Sequence, residues 1–448
     1  MQDVSTAEGQ LARFAAKLRH DDIPPAVLHE AKRSLINIFA TALAGSGEPA
    51  VDTVLRTMLP CSGTRTATLA GRSEHADETL AAFVNAMSAN IFDFDDTHEA
   101  TIIHPAATVF APLFAHAETT HLPGSAVLTG FVAGGEVACR IGVAISPYHY
   151  ARGWHITSTC GVFGAAAGVG SLIGLSPAQM AHAFSAAAVQ SSGLVETLGT
   201  MAKSVSVGGA ARNGLVSALL ARNGLTGPPA PLTGERGFLR VYADEPRPEA
   251  LVDGLGADWE IAKNTYKPYP VGVVLNPVID ACLHLRAREG LKLEDVAGIE
   301  ITGHPLLRQR ADRPHVETGR EAQVSAQHTI AIVLMRGRPG LEAFSDAAAA
   351  ETFRAGRPPV LFHDDPARDI ASVKLCVRTR DGRELDVEID DTLGSGRKPL
   401  SDEQLEAKLF DAARFIEFPG DARRLADAIW NIEDAEDAGA IARLAGAG

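Results

Sequence analysis

Asn90-Ile91-Phe92-Asp93-Phe94-Asp95-Asp96-Thr97-His98-Glu99 runs on to a close at His104-Pro105. The fifteen residues from Asn90 to His104 hold three Asp, one Glu and two His. Apolar, small-residue segments flank them on both sides and have the pattern of buried helices. Charges set between core helices cost free energy unless they are paired or used. The plain alternative is a helix end followed by a solvated loop whose Asp residues cap the next helix. The density of charge does not choose between the two.

Upstream, Pro24-Pro25 opens a helix. Leu28, Ala31, Leu35, Ile38 and Ala42 then form one apolar face, and Gly45 ends it. Residues 65–69 read as a short strand. Residues 75–90 read as a helix with Leu80, Phe83, Val84 and Met87 inward, and its end delivers the acidic stretch. Downstream, 109–118 and 124–142 are helical. The second carries Gly130, Gly134, Gly135 and Gly142, and Gly161, Gly164, Gly168 and Gly170 follow. Each Gly in a helix costs up to about 1 kcal/mol against Ala, so close helix–helix approach is the expected reason. Gly168-Val169-Gly170 follows no strand and is no dinucleotide loop. The pattern is a helical bundle, not a Rossmann sheet.

Two polar constellations interrupt the bundle. In Tyr148-His149-Tyr150-Ala151-Arg152-Gly153-Trp154-His155, the last residue precedes a helix whose first turn carries Thr157, Ser158 and Thr159. Free backbone N–H groups there would attract an anion; a capped turn with an exposed His is the bland reading. In the second, Lys203 stands among apolar and hydroxyl residues, with no acidic neighbour in sequence closer than Glu196. A desolvated Lys either titrates down or pairs with an anion, unless it snorkels to the surface.

After a Gly/Pro-rich loop at 224–240 the character changes. Tyr266-Lys267-Pro268-Tyr269-Pro270 is stiff and extended, and Asn276-Pro277 starts a helix. Residues 296–302 read as a strand and 325–334 as a helix. Residues 373–378 and 384–389 form a hairpin around Asp381-Gly382. The expected organisation is an all-helical domain from 1–265 and 396–448, with an α+β domain at 266–395.

The chain has 448 residues, 46% hydrophobic and 21% charged, with a net charge of −14. That charge argues against a nucleic-acid partner, and an anionic substrate would need a local cationic pocket. Five dispersed Cys without a C-x-x-C fit a reducing, cytoplasmic setting rather than a disulfide frame or zinc ribbon. The start, Met1-Gln2-Asp3-Val4-Ser5, shows no secretory pattern, and no unbroken run of eighteen apolar residues predicts a membrane span.

Asp93-Phe94-Asp95-Asp96-Thr97-His98 with His104-Pro105, Arg152-Gly153-Trp154-His155-Ile156-Thr157, Lys203, Tyr266 to Pro270, Ile279-Asp280 and Lys398 to Glu403 occur in an order that resembles the MmgE/PrpD family. That family includes 2-methylcitrate dehydratase, cis-aconitate decarboxylase and iminodisuccinate epimerase relatives. The resemblance spans nearly the whole chain. It implies a mainly α fold, a large all-helical domain built from both chain ends, a smaller α+β lid, and an active site in the cleft between them. It also implies a homodimer, no metal and no organic cofactor. Asp93, Thr97, His104, His155, Lys203 and Lys267 match the family's active-site positions. Tyr150 and Arg152 join them from the turn before His155, and His328 as a substrate-side position. Family members often have His at Asn90 and Asn276, and Tyr at His328.

The shared chemistry is a proton on carbon next to a carboxylate. Lys203 and Lys267 would stabilise the developing charge. Asp93, His155 and His104 are candidate bases, Tyr150 a proton donor, and Thr97 a group orienting a carboxylate. The altered positions Asn276 and His328 favour an epimerase of an iminodisuccinate-like dicarboxylate. A dehydratase or decarboxylase of a small tricarboxylate is the alternative. A non-catalytic helical module would leave six ordered matches unexplained.

Overall fold

In the computed structural model, which describes residues 6–448, the chain forms two units. One runs to Thr265 and takes up Asp402–Gly448; the other is Tyr266–Ser401. The first is helical apart from short two- and three-residue strands, and the second carries the larger sheet.

Glycine sets how the central helices of the first unit meet. Helices Gly124–Ile145 and Ile156–Leu172 lie backbone against backbone. A Cβ on Gly134 would stand 2.6 Å from the Gly164 carbonyl oxygen, and one on Gly130 would stand 2.8 Å from that of Gly168. The contacts are reciprocal, so neither helix can carry a side chain at this seam. Helix Gly124–Ile145 is long and apolar enough to cross a membrane by length and composition, yet 94% of its apolar window is buried inside the protein. It also holds a buried ion pair, Glu136 with Arg140 at 2.6 Å. Arg140 donates onward to the carbonyls of Asp253 and Asp258, and Glu136 accepts from the Ile261 amide. That pair fastens the segment 253–261 to the core.

The acidic stretch begins where helix Glu78–Asn90 ends. Asp77 caps this helix by accepting from the amides of Thr79 and Leu80. The helix therefore starts three residues later than its apolar pattern predicts, and His75–Ala76 pairs as a strand with Ala67–Thr68. The downstream helix is longer than expected, Pro105–Thr120, with Pro105 in its first turn and His104 as its N-cap. Helix Asp402–Phe415 brings the C-terminal part of the chain to the same place. Its Lys408 is buried and donates to Asn37 Oδ1 at 2.7 Å and to the Phe94 carbonyl at 2.6 Å.

The second unit is built on a four-stranded sheet. Val296–Gly303 lies between Val360–Asp364, to which it is parallel, and Val373–Thr379, to which it is antiparallel; Glu384–Ile389 forms the other edge. Gly382, at φ +87°, makes the hairpin turn. Helices Asn276–Glu289 and Ala326–Arg336 contribute Val278, Ile279, Leu285, Ile330 and Val333 to its core.

Candidate active site

Three helix N-termini supply the residues of one cluster. His104 is the N-cap of Pro105–Thr120, and His155 is the N-cap of Ile156–Leu172. Lys203 sits in the first turn of Met201–Arg222, behind the Thr200 cap. The positive ends of three helix dipoles thus face a common region, which favours anions. A Lys in a first helical turn works against its own helix dipole, so the position serves something other than helix stability.

Asp93 answers that charge. Its Oδ1 lies 2.6 Å from Lys203 Nζ. The backbone at Asp93 is left-handed, φ +53°, a conformation that Asp tolerates better than most side chains. This turn carries the chain out of the preceding helix, so Asp93 differs in setting from its neighbours. Its side chain is 41% exposed, whereas Asp95 and Asp96 are fully buried. Of the three carboxyls, the desolvated one is Asp96 rather than the candidate base Asp93. Burial, and next the charge of Asp95, push the Asp96 pKa well above the usual carboxylate range. Asp96 Oδ2 accepts from Asn264 Nδ2 at 2.8 Å and from the Ala106 amide at 3.2 Å, capping the His104 helix.

His104 is held on all sides. Its amide donates to Thr157 Oγ1 at 3.1 Å. Its Nδ1–H donates to the Asp96 carbonyl at 2.5 Å, which leaves Nε2 directed at Asp93 Oδ1, 3.5 Å away. Thr97 Oγ1 lies 3.4 Å from Nδ1. A tight hairpin produces this apposition: the His98 amide donates to the Ile103 carbonyl at 2.8 Å, which sets Thr97 beside His104. His98 anchors the hairpin through Thr101 Oγ1 at 2.8 Å and Glu260 Oε2 at 3.0 Å. The hydrogen bond from His98 is the chief reason that the Glu260 pKa is lowered to about 2.

His155 is buried and faces Ser158 Oγ at 3.1 Å and Ser206 Oγ at 3.4 Å through Nδ1. Its amide donates to the Gly193 carbonyl. Gly193, at φ +136°, has no room for a Cβ, which would meet Ser158 Oγ at 2.0 Å. Burial first, then the positive charges of Lys203 and His104, push the His155 pKa down to about 3 against the pull of Asp93. His155 is therefore a neutral imidazole near neutrality.

The cluster thus joins Asp93, Thr97, His104, His155 and Lys203. Asp93, Asp95 and His104 bring three donor atoms within 4.8 Å of one another. The Lys203 ammonium already brings a positive charge to Asp93 Oδ1 at that point. Tyr150 is half-buried in the one-turn helix Tyr148–Ala151. Arg152 is half-exposed and pairs with Asp244 at 2.7 Å on the surface, away from the expected substrate role. Lys267 is buried in the second unit. His328 corrects its expectation: it is fully buried in that unit's core, and Nε2–H donates to the Ala343 carbonyl while Nδ1 meets Thr352 Oγ1. Neither ring nitrogen is left for a substrate. Thr157, noted in the sequence as part of the first helical turn, joins the cluster through the His104 amide; the Ser206 hydroxyl and the Asn264 amide join it without having been singled out, each an ordinary polar residue until the fold places it.

Known proteins resemble this chain over much of its length. Cis-aconitate decarboxylase of Homo sapiens is 28% identical over 396 residues, 82% of this chain and 79% of that protein. The Mus musculus enzyme is 25% identical over 454 residues, 95% of this chain and 91% of its own. The Aspergillus terreus enzyme is 28% identical over 298 residues, 63% of this chain and 61% of that protein. The MmgE/PrpD N-terminal domain matches residues 9–251 and the MmgE/PrpD C-terminal domain residues 269–434. With both domain models matched in order over most of its length, the chain belongs to the MmgE/PrpD family.

Proposed function

We propose that the protein is a lyase that decarboxylates a small unsaturated tricarboxylate of the cis-aconitate class. The observation that carries the reading is the cluster of Lys203, His104 and Asp93 at converging helix N-termini, in a chain whose relatives include cis-aconitate decarboxylases. The epimerase reading rested on Asn276 and His328. It loses the latter support, because the His328 nitrogens are used inside the core, and the relatives named above favour a lyase.

The chemistry follows from the substrate class. In cis-aconitate the CH2-borne carboxylate lies next to a double bond whose far carbon carries another carboxylate. When the C–CO2 bond breaks, its electron pair forms a new double bond. The old double bond's pair moves to the far carbon and is delocalised onto its carboxylate. Charge builds on those oxygens, where Lys203 and the helix N-termini stabilise it. A proton then adds to the far carbon. His155, with its pKa near 3, is not a cationic acid at neutral pH and serves as a hydrogen-bonding group. His104 Nε2 is the better placed donor. Asp93 holds the Lys203 ammonium, and Thr97 fixes a carboxylate.

Incubation with cis-aconitate in D2O tests this. Release of CO2 with one deuterium bound to carbon in the product is expected. Water loss from a hydroxylated tricarboxylate, seen as rising ultraviolet absorbance, would favour a dehydratase instead. Deuterium uptake at a dicarboxylate stereocentre without CO2 would restore the isomerase.

A further inference from the structure

Asp95 is fully buried. Its Oδ2 accepts from Asn90 Nδ2 at 2.7 Å. Among the described residues its Oδ1 has no hydrogen-bond donor, and it stands 3.4 Å from His104 Nδ1. A buried carboxylate oxygen without a donor is costly, and the cost falls when a positive charge forms beside it. The neighbouring carboxyl, Asp96, is the one that burial drives toward the protonated form.

We propose that Asp95 is a positioning residue that holds His104 as the imidazolium, with Nδ1 turned to the protein and the Nε2 proton turned to the site. The groups facing the ring include Asp95, the Asp96 carbonyl and Thr97 on the Nδ1 side and Asp93 on the Nε2 side. Lys203 and His155 stand nearby from their own helices, and Lys408 lies behind Phe94. The Lys203 charge opposes a proton on His104, and Asp95 offsets it. In the decarboxylation proposed above, on which the reaction part of this inference rests, the Nε2–H bond breaks and a C–H bond forms. The N–H electron pair stays on Nε2, and the neutral ring regains a proton from solvent after CO2 has left.

Asp95→Asn keeps the volume and removes the charge. The expected result is a kcat lower by about 10- to 100-fold with KM changed less than about twofold, since Asp95 does not reach substrate. Turnover that needs charged His104 falls as pH rises through its pKa, and Asp95→Asn moves this alkaline limb to lower pH by about one pH unit or more. In a His104→Gln background the same substitution has no further effect. A purely structural Asp95 would lower the thermal midpoint, leave the alkaline limb in place and add its cost in both backgrounds, which would overturn the proposal. Ring ¹⁵N resonances of the wild-type protein, with those of His104 identified by their loss in His104→Gln, give a reading free of turnover. Both nitrogens protonated at about pH 7.5 supports the proposal, and a neutral ring overturns it even if Asp95→Asn does not fold. An imidazolium in a protein that releases no CO2 would remove the decarboxylase reading alone.

Discussion

Lys203 is the residue on which the cluster's charge balance turns. It is buried, sits at the wrong end of its helix for a cation, and has Asp93 as its partner across 110 positions of sequence. Because Asp93 keeps 41% of its side chain in solvent, losing the ammonium does not strand a buried charge. Lys203→Met should therefore leave the thermal midpoint within a few degrees of wild type while turnover drops by about 10²- to 10³-fold, the scale of losing one group that stabilises developing charge. Near-normal turnover in this variant would place the active site elsewhere. Since the ammonium supplies the positive charge, activity should survive exhaustive dialysis against EDTA. Activity lost there and restored by one divalent ion would show that Asp93, Asp95 and His104 bind a cation in place of the lysine contact. The sequence makes the isolation of Lys203 plain and its partner invisible. Nor does the order of three Asp in four positions say which one meets solvent, because the left-handed turn at Asp93 exists only in the folded chain.

Among the elements, the glycine-rich helices gave the clearest signal and now divide into two kinds. Gly134 faces the Gly164 carbonyl, and a Cβ there would meet rigid backbone. Gly209, within helix Met201–Arg222, has nothing within 4 Å of where a Cβ would go. Gly134→Ala should cost about 1–3 kcal/mol through overpacking, despite the better helix former. Gly209→Ala should gain up to about 1 kcal/mol. Paired denaturant titrations check both, and equal effects would mean that the helix seam does not limit packing. Composition alone predicted close approach but could not tell these positions apart. Other elements were less legible. Val360–Asp364 is an edge strand with most of its residues partly or fully exposed, so it lacks the alternation that reveals a half-buried strand. The Ala347 to Ala350 run, which looks like low complexity, lies in helix Asp346–Ala355, where Ala348 and Ala349 are buried.

At the scale of the molecule, the motif depends on chain far from it: Lys408 holds Phe94 in place from a helix more than three hundred residues later. No local pattern announces such a tie. The same holds for the buried imidazoles, which look alike in sequence and differ once packed. His149, His155 and His328 are all driven toward the neutral form, chiefly by burial, with pKa values of about 4, 3 and 4. His328 separates from catalysis most cleanly, because its nitrogens are satisfied by Ala343 and Thr352 inside the second unit. Its folded pKa lies below the 6.5 of an unfolded His. The unfolded chain therefore takes up this proton first as pH falls. The stability that neutral His328 supports is fully present above about pH 6.5 and is lost progressively down to about pH 4. A tenfold change in proton affinity between the folded and unfolded chain corresponds to about 1.4 kcal/mol, so the loss is at most about 3 kcal/mol. His328→Gln cannot take up that proton, and its amide can still donate to Ala343. Near pH 8 the variant should match or fall slightly below wild type in thermal midpoint. As pH is lowered to about 4.5, the difference should move steadily in the variant's favour, while His149 and His155, common to both proteins, cancel. A difference that stays constant across that range would show that His328 is protonated in the folded protein or is not a source of its acid sensitivity.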